Sequence, residues 1–311
     1  MPPCLINGDV AHSHQPIAPR CVRLAIAAHG RKCNKAARKP RPECPSRNNL
    51  LPDIAIHLLL LLCAAAFFAG FVDSIAGGGG LITVPAMLIA GIPPLQTLGT
   101  NKVQSLFGAA SATIAYARKG HVKLSDQLPM ALMAVMGGSL GAALATLVPG
   151  QVLQAVMPVL LVAIAIFFAV KPNLNDSDTH RRMTPFLFGL TLVPVIGFYD
   201  GVFGPGTGSF FMLAFVTLAG FGMLKATAHT KLLNLGSNFG ALVVFASFGA
   251  TLWKIGLLMG ACQFLGAQLG SRLAMRIGAR LIKPLLVIVC IAFAIKLLSD
   301  TANPLRVWLG V

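Results

Sequence analysis

Four charged residues stand inside long apolar stretches of this chain: Asp73, Lys102, Asp200 and Lys231. They form matched pairs, because the two aspartates are 127 residues apart and the two lysines 129 apart. Each aspartate leads into a glycine cluster, in "GFVDSIAGGGG" at 70–80 and in "GFYDGVFGPGTG" at 197–208. A charge at the centre of a bilayer costs at least ~2.5–3.5 kcal/mol, so such residues face a cavity or a partner. Glycine tolerates positive φ and leaves backbone N–H groups uncovered. Gly77, Gly78, Gly79 and Gly80, and likewise Gly204, Gly206, Thr207 and Gly208, therefore sit where short helices would begin. A helix start carries about half a positive charge and binds anions.

A second polar cluster follows each of these, "TNKVQS" at 100–105 and "HTKLLNLGSN" at 229–238. Asn101, Lys102, Ser105, Lys231 and Asn234, with Asn238 beyond, are candidates to line a solute path. Structural roles compete with that reading. Asn101 and Gln104 suit a helix cap with its return contact. The lysines could begin helices at the membrane surface, and the aspartates could cap the next half-helix or exchange a proton. His229 is a further site candidate, whereas His57 and His121 look interfacial.

The elements that must position these residues are membrane helices. Hydrophobic residues make up 56% of the 311-residue chain and charged residues 11%, against about 25% charged in a soluble domain. Continuous apolar runs, rather than alternating ones, disfavour a β-barrel. Of the net charge of +16, the tail over residues 1–50 supplies nine Lys/Arg against two acids. Two Trp and two Tyr give no platform for stacking bases, which excludes nucleic-acid binding. Cys4, Cys21, Cys33 and Cys44 match no zinc spacing, and Cys63, Cys262 and Cys290 read as small core residues. No metal, cofactor or convergent acid–base set is expected, and hence no enzyme.

The chain divides into a basic, disordered tail (1–52), a first membrane repeat (53–171), a linker (172–182), a second repeat (183–300) and a short C-terminal tail (301–311). Gly91 and Gly220, Gly137 and Gly266, and Gly141 and Gly270 extend the match between repeats at an offset of 129. Five apolar elements are expected in each copy, at 54–75, 81–92, 102–117, 127–147 and 151–170, then at 184–203, 209–221, 231–249, 252–271 and 281–298. The second of each copy is too short to cross a bilayer, for which about 20 residues are needed. Eight to ten membrane segments result, some broken or re-entrant. Charge sets their hand. Arg118, Lys119 and Lys123 follow the third element of copy one, where copy two has only Lys254. After the fourth element copy one is bare, and copy two carries Arg272, Arg276, Arg280 and Lys283. Basic short loops stay in the cytoplasm, so the copies are expected to be inverted, with the linker inside. "GGSLG" at 137–141 and "GAQLG" at 266–270 read as close helix contacts.

The stretches "FFAGFVDSIAGGGGLITVPAMLIAGIPPLQTLGTNK" and "GFYDGVFGPGTGSFFMLAFVTLAGFGMLKATAHTK" resemble the TauE/SafE sulfite exporter family over about residues 54–299. The tail departs from that family's pattern. The resemblance implies a multi-pass transporter of the bacterial inner membrane that exports a small anion such as sulfite or a sulfonate. On the residues alone, a passive anion channel on the same scaffold is the alternative, with a membrane scaffold or enzyme behind it. Substrate, direction, coupling ion and oligomeric state are not written in these residues.

Overall fold

The computed structural model describes residues 56–170 and 178–277, together with Ile291 and Ile295, all within one compact unit spanning residues 49–311. The tail over 1–52, linker residues 172–177, the rest of the element expected at 281–298 and the segment 301–311 lie outside the described residues. Among the described residues there are nine helices and no strand. They are α1 (Ile56–Ala76), α2 (Gly80–Ile89), α3 (Pro94–Arg118), α4 (Leu124–Leu147), α5 (Gly150–Val170), α6 (Pro185–Val202), α7 (Thr207–Thr217), α8 (Met223–Ser247) and α9 (Trp253–Ile277). By length and composition α1, α4 and α6 are apolar enough to cross a membrane. The short helices α2 and α7 have 10 and 11 residues. At 1.5 Å per residue that is about half of a ~30 Å hydrocarbon layer.

Two expected boundaries are corrected. The third element starts at Pro94 rather than 102, and the eighth at Met223 rather than 231. In "GIPPLQT", Pro94 occupies the first helical position, where its missing N–H costs nothing and its fixed φ suits the helix. Before α8, Gly220 turns the chain at φ +73° and Gly222 is the N-cap. Both polar clusters consequently lie two turns inside their helices rather than at the helix starts. The helix α9 also runs beyond residue 271 to Ile277.

The backbone repeats as the sequence does. Of the seven described glycines with positive φ, six fall into pairs: Gly77 with Gly204, Gly91 with Gly220 and Gly120 with Gly249. The last pair, 129 residues apart, adds a match that the side chains did not advertise. Helix packing follows the same arithmetic, with α1 against α9 and α4 against α6, and with α3 against α9 and α4 against α8.

Helix α4 shows how a predominantly apolar helix still has two faces. Leu124, Leu128, Leu132, Met136, Leu140 and Leu144 recur every four residues and are exposed. Ala131, Ala134, Gly137, Gly138, Gly141 and Ala142 form the buried side. Sorting is by size, since lipid offers no hydrophobic drive between helices and small residues let backbones approach. A Cβ on Gly141 would collide with the Phe198 carbonyl oxygen, and one on Gly266 with that of Phe67. Both small-residue motifs are therefore contacts, of α4 with α6 and of α9 with α1.

The described end of the linker docks on the turn between α7 and α8. Thr179 N–H donates to Gly220 O at 2.8 Å. The Asp178 carboxylate takes the Gly222 N–H at 2.6 Å and the Lys225 ammonium at 3.0 Å. The Gly222 amide, and then Lys225, hold the Asp178 carboxyl below its ordinary value. A lowered carboxylate pKa stabilises above the unfolded value and is lost as pH falls through the folded one. Protection of the Gly222 amide relative to its intrinsic exchange rate should therefore be complete above about pH 3.9, the ordinary Asp value, and be lost as pH falls further, through the lowered folded value. In Asp178→Asn the amide should show no such step.

Gly141→Leu should fold poorly. Overpacking costs about 1–3 kcal/mol in cores that can yield, and here the obstacle is backbone. A thermal melt in detergent should fall by several degrees, while Leu140→Ala on the lipid face should leave it nearly unchanged.

Candidate functional site

The two glycine clusters stop α1 and α6 and start α2 and α7. Gly77 adopts φ +79° and Gly204 φ +90°, left-handed geometry that ends a helix at little cost only for glycine. Pro205 then forbids continuation of α6. The clusters lie against each other. Ser209 N–H donates to Gly77 O at 3.1 Å, and Ser209 Oγ donates to Ala76 O. A Cβ on Gly208 would fall 2.6 Å from Gly77 Cα. Side chains at either position would push the two breaks apart.

The four intramembrane charges pair crosswise. Lys102 Nζ lies 2.9 Å from Asp200 Oδ1, and Lys231 Nζ lies 3.2 Å from Asp73 Oδ2. Both lysines are fully buried, and neither carboxylate is more than a tenth exposed. Each ammonium also donates to the main-chain oxygen of its aspartate. Those oxygens belong to the last turns of α6 and α1, where a cation meets the negative end of the helix dipole; the Asp73 oxygen keeps its helical donor as well, the Gly77 N–H at 2.8 Å. Neither lysine begins a helix at the membrane surface, because both sit in mid-helix.

The remaining carboxylate oxygens differ between halves. Asp73 Oδ1 accepts from Gly79 N–H at 3.2 Å, so this acid does cap the α2 entrance. Asp200 Oδ2 instead accepts from Ser237 Oγ at 2.6 Å. Ser237 was missed in the sequence, although it adjoins Asn238 in "NLGSN". Thr83 was also missed, since nothing in "LITVP" marks it. Its hydroxyl donates to Asn101 Oδ1 at 2.8 Å, and Gln104 Nε2 donates to the same oxygen at 2.9 Å. The Asn101–Gln104 contact expected of a helix cap thus exists two turns inside α3, where it caps nothing and orients Asn101 instead.

A small space lies between the breaks. Asp73, Gly77, Gly80, Asn101, Ser105, Asp200, Gly204, Gly206, Gly208, Asn234 and Asn238 surround it. It admits the centre of a water-sized sphere over about 10 Å³, roughly the room for one water. Its wall carries the Asp73 and Asp200 carboxylates together with a set of hydrogen-bond donors. The N–H groups of Gly80, Gly206 and Gly208 have no partner among the described residues. Asn101 is 2% exposed, and with its Oδ1 taken twice its Nδ2 is left without a described partner. Asn234 offers its Oδ1 to Asn238 at 3.2 Å, which likewise leaves its Nδ2 unpaired.

Of the sequence candidates, Gly78, Gly79, Lys102, Thr207 and Lys231 are near this space but not on its wall. Thr207 turns its hydroxyl to Gly204 O at 2.8 Å. His229 is not part of the site. It packs against Phe215 and Phe221 at ring distances of 5.7 and 4.9 Å. Among the described residues no cluster of His, Cys, Asp and Glu could hold a metal ion.

A family model described as Sulfite exporter TauE/SafE matches residues 62–297. The chain belongs to this family. It is 71% identical over 260 residues to a probable membrane transporter protein, ORF9, of Sinorhizobium sp, covering 84% of this chain and all of that protein. It is 46% identical over 264 residues to the probable membrane transporter protein YfcA of Escherichia coli strain K12, covering 85% and 98% of the two chains. A more distant relative, the probable membrane transporter protein YunE of Bacillus subtilis strain 168, is 22% identical over 266 residues, with 78% and 97% covered. No solved structure matches. As a member of the TauE/SafE family with helices long and apolar enough to span a bilayer, the chain is a bacterial membrane transporter.

Removing one partner of a buried ion pair costs about 3–5 kcal/mol, whereas replacing both with apolar groups is often nearly neutral. Lys102→Met should therefore lower the melting temperature in detergent sharply, and Lys102→Met with Asp200→Leu should recover much of the loss. Equal melts for the single and double variants would show that the pair does not act as a unit.

Proposed function

We propose that this TauE/SafE member is a secondary transporter of a small anion, with sulfite or an organosulfonate as the substrate class and export as its direction. The observation that carries the reading is the set of unpartnered N–H and amide donors around the small space between two touching helix breaks. The crosswise pairs cancel the local charges, two lysines against two aspartates. What remains is the pair of helix starts, at about half a positive charge each, with amide donors from Asn101 and Asn234. A singly charged anion matches that remainder better than a doubly charged one.

The two halves are inverted repeats on this reading, and the anion binds between them. Paired positive-φ glycines and the exchange of packing partners, α1 with α9 for α6 with α4, support the duplication. The charge bias supports the inversion, because Lys119 and His121 after α3 meet Arg272 and Arg276 at the end of α9 around one pocket. That is the end expected to face the cytoplasm. A space for one water is too small for sulfite, so the wall must move apart to admit the anion. Access alternates by one half rocking against the other. Asp73 and Asp200 fix the breaks, and Asp73 additionally caps α2. Lys102 and Lys231 act on the anion through those aspartates and not by direct contact. Flux through a passive channel would persist downhill after the proton gradient is collapsed, which separates that alternative from coupled transport.

Sulfite and sulfonate flux in proteoliposomes tests the site. Losing one hydrogen bond to a charged group costs about 1.5–3 kcal/mol, so Asn101→Leu and Asn234→Leu should each raise KM by at least tenfold. Gly208→Ala should abolish flux. Unchanged kinetics in all three would remove this site and leave the fold standing.

A further inference from the structure

A second concave site lies at the far ends of α3 and α9. Lys119, His121, Arg272 and Arg276 line it together with Leu269, Leu273 and Met275, around a volume of about 890 Å³. Three full cations converge there from segments some 150 residues apart in sequence. None of the three has an acidic partner among the described residues. Mutual repulsion of unpaired cations around one hollow favours a bound anion.

We propose that this pocket binds the phosphate head of an anionic phospholipid in the cytoplasmic leaflet. The outer edge of α9 argues for lipid over a soluble anion. Leu258, Leu265 and Leu269 are exposed along one face, and Arg272 and Arg276 continue that face at helical spacing. An acyl chain lying along the leucines delivers its head group to the arginines. The inner wall argues the same way, because the pocket does not open towards the central space. Tyr116 is fully buried, donates to Ser74 O at 3.0 Å and stands edge-on to His121, ring centroids 6.3 Å apart. It forms a buried cluster with Ala112, Val122 and Ala228, against which Met275 of the pocket wall packs. A soluble anion entering here meets a sealed floor. Basic pockets between membrane helices on the cytoplasmic side are suited to such head groups.

The test is lipid binding to the full chain in detergent, read by native mass spectrometry. Phosphatidylglycerol and cardiolipin are titrated separately, phosphatidylcholine is the neutral control, and inorganic phosphate and sulfite are the soluble competitors. Each cation near a head group contributes about a fivefold gain in affinity. Arg272→Gln with Arg276→Gln should weaken anionic-lipid binding on the order of twenty- to thirtyfold, and Arg272→Lys with Arg276→Lys should retain most of it. Lys254→Gln, at the opposite end of α9, should bind as the parent does. Equal loss in Lys254→Gln, or equal binding of phosphatidylcholine, would overturn the site. Displacement of lipid by millimolar phosphate or sulfite would make it a solute vestibule instead. A misfolded arginine variant would be recognised by its melt, and the soluble competitors then decide on the parent protein alone. Because flux is not the readout, the outcome is independent of the transport site.

Discussion

Two buried ion pairs, each reaching from the interior of one long helix to the broken end of another, are the contacts on which the centre of the molecule depends. A helix that stops inside a membrane leaves several carbonyls without partners in a medium that supplies none. Both α1 and α6 are broken, and a lysine from α8 or α3 donates to the main-chain oxygen of the aspartate in the last turn, which at Asp73 also keeps the Gly77 N–H. The carboxylate of the same residue neutralises the ammonium. One pair thus serves the helix end and the charge balance together, and each lysine does so from the other half of the chain. Lys102 reaches only Asp200, and Lys231 only Asp73.

Around this polar centre the packing follows membrane logic. Outward faces carry large apolar side chains and inward faces carry small ones, as α4 shows with its leucine ridge against glycine and alanine. The close approach of α4 to α6, and of α9 to α1, brings the broken helices near enough for their glycine clusters to touch. With bulkier residues at 137–141 or 266–270, the helices would stand apart and the crosswise pairs would lengthen. Small residues far from the site therefore set the geometry inside it.

Much of this was legible in the sequence, and the misses have physical causes. The paired aspartates, lysines and glycine clusters marked the polar centre, because charge and helix breakers are rare enough in apolar runs to be seen. The starts of α3 and α8 were misplaced by eight residues for the opposite reason. "PPLQTLG" and "MLKATAH" look like loop or surface by composition, and only tertiary burial of Thr97, Thr100, Thr227 and Thr230 makes them interior helix. Starting the helices too late turned Asn101 into a cap and the lysines into surface residues. Thr83 and Ser237 gave no signal of their own, since a lone hydroxyl in an apolar helix usually bonds its own backbone. Crosswise pairing was beyond reach as well, because offsets show which residues are equivalent but not which ones touch.

On the transporter reading, the cost of separating a buried pair constrains how the protein can move. Breaking one leaves an uncompensated charge and an uncapped helix end, a penalty of several kcal/mol. Two such penalties in every cycle would slow turnover severely, so the pairs must survive in both outward- and inward-open states. They are then a pivot and not a gate. Opening, on that reading, has to come from elements that move around the pivot while both charge pairs stay closed.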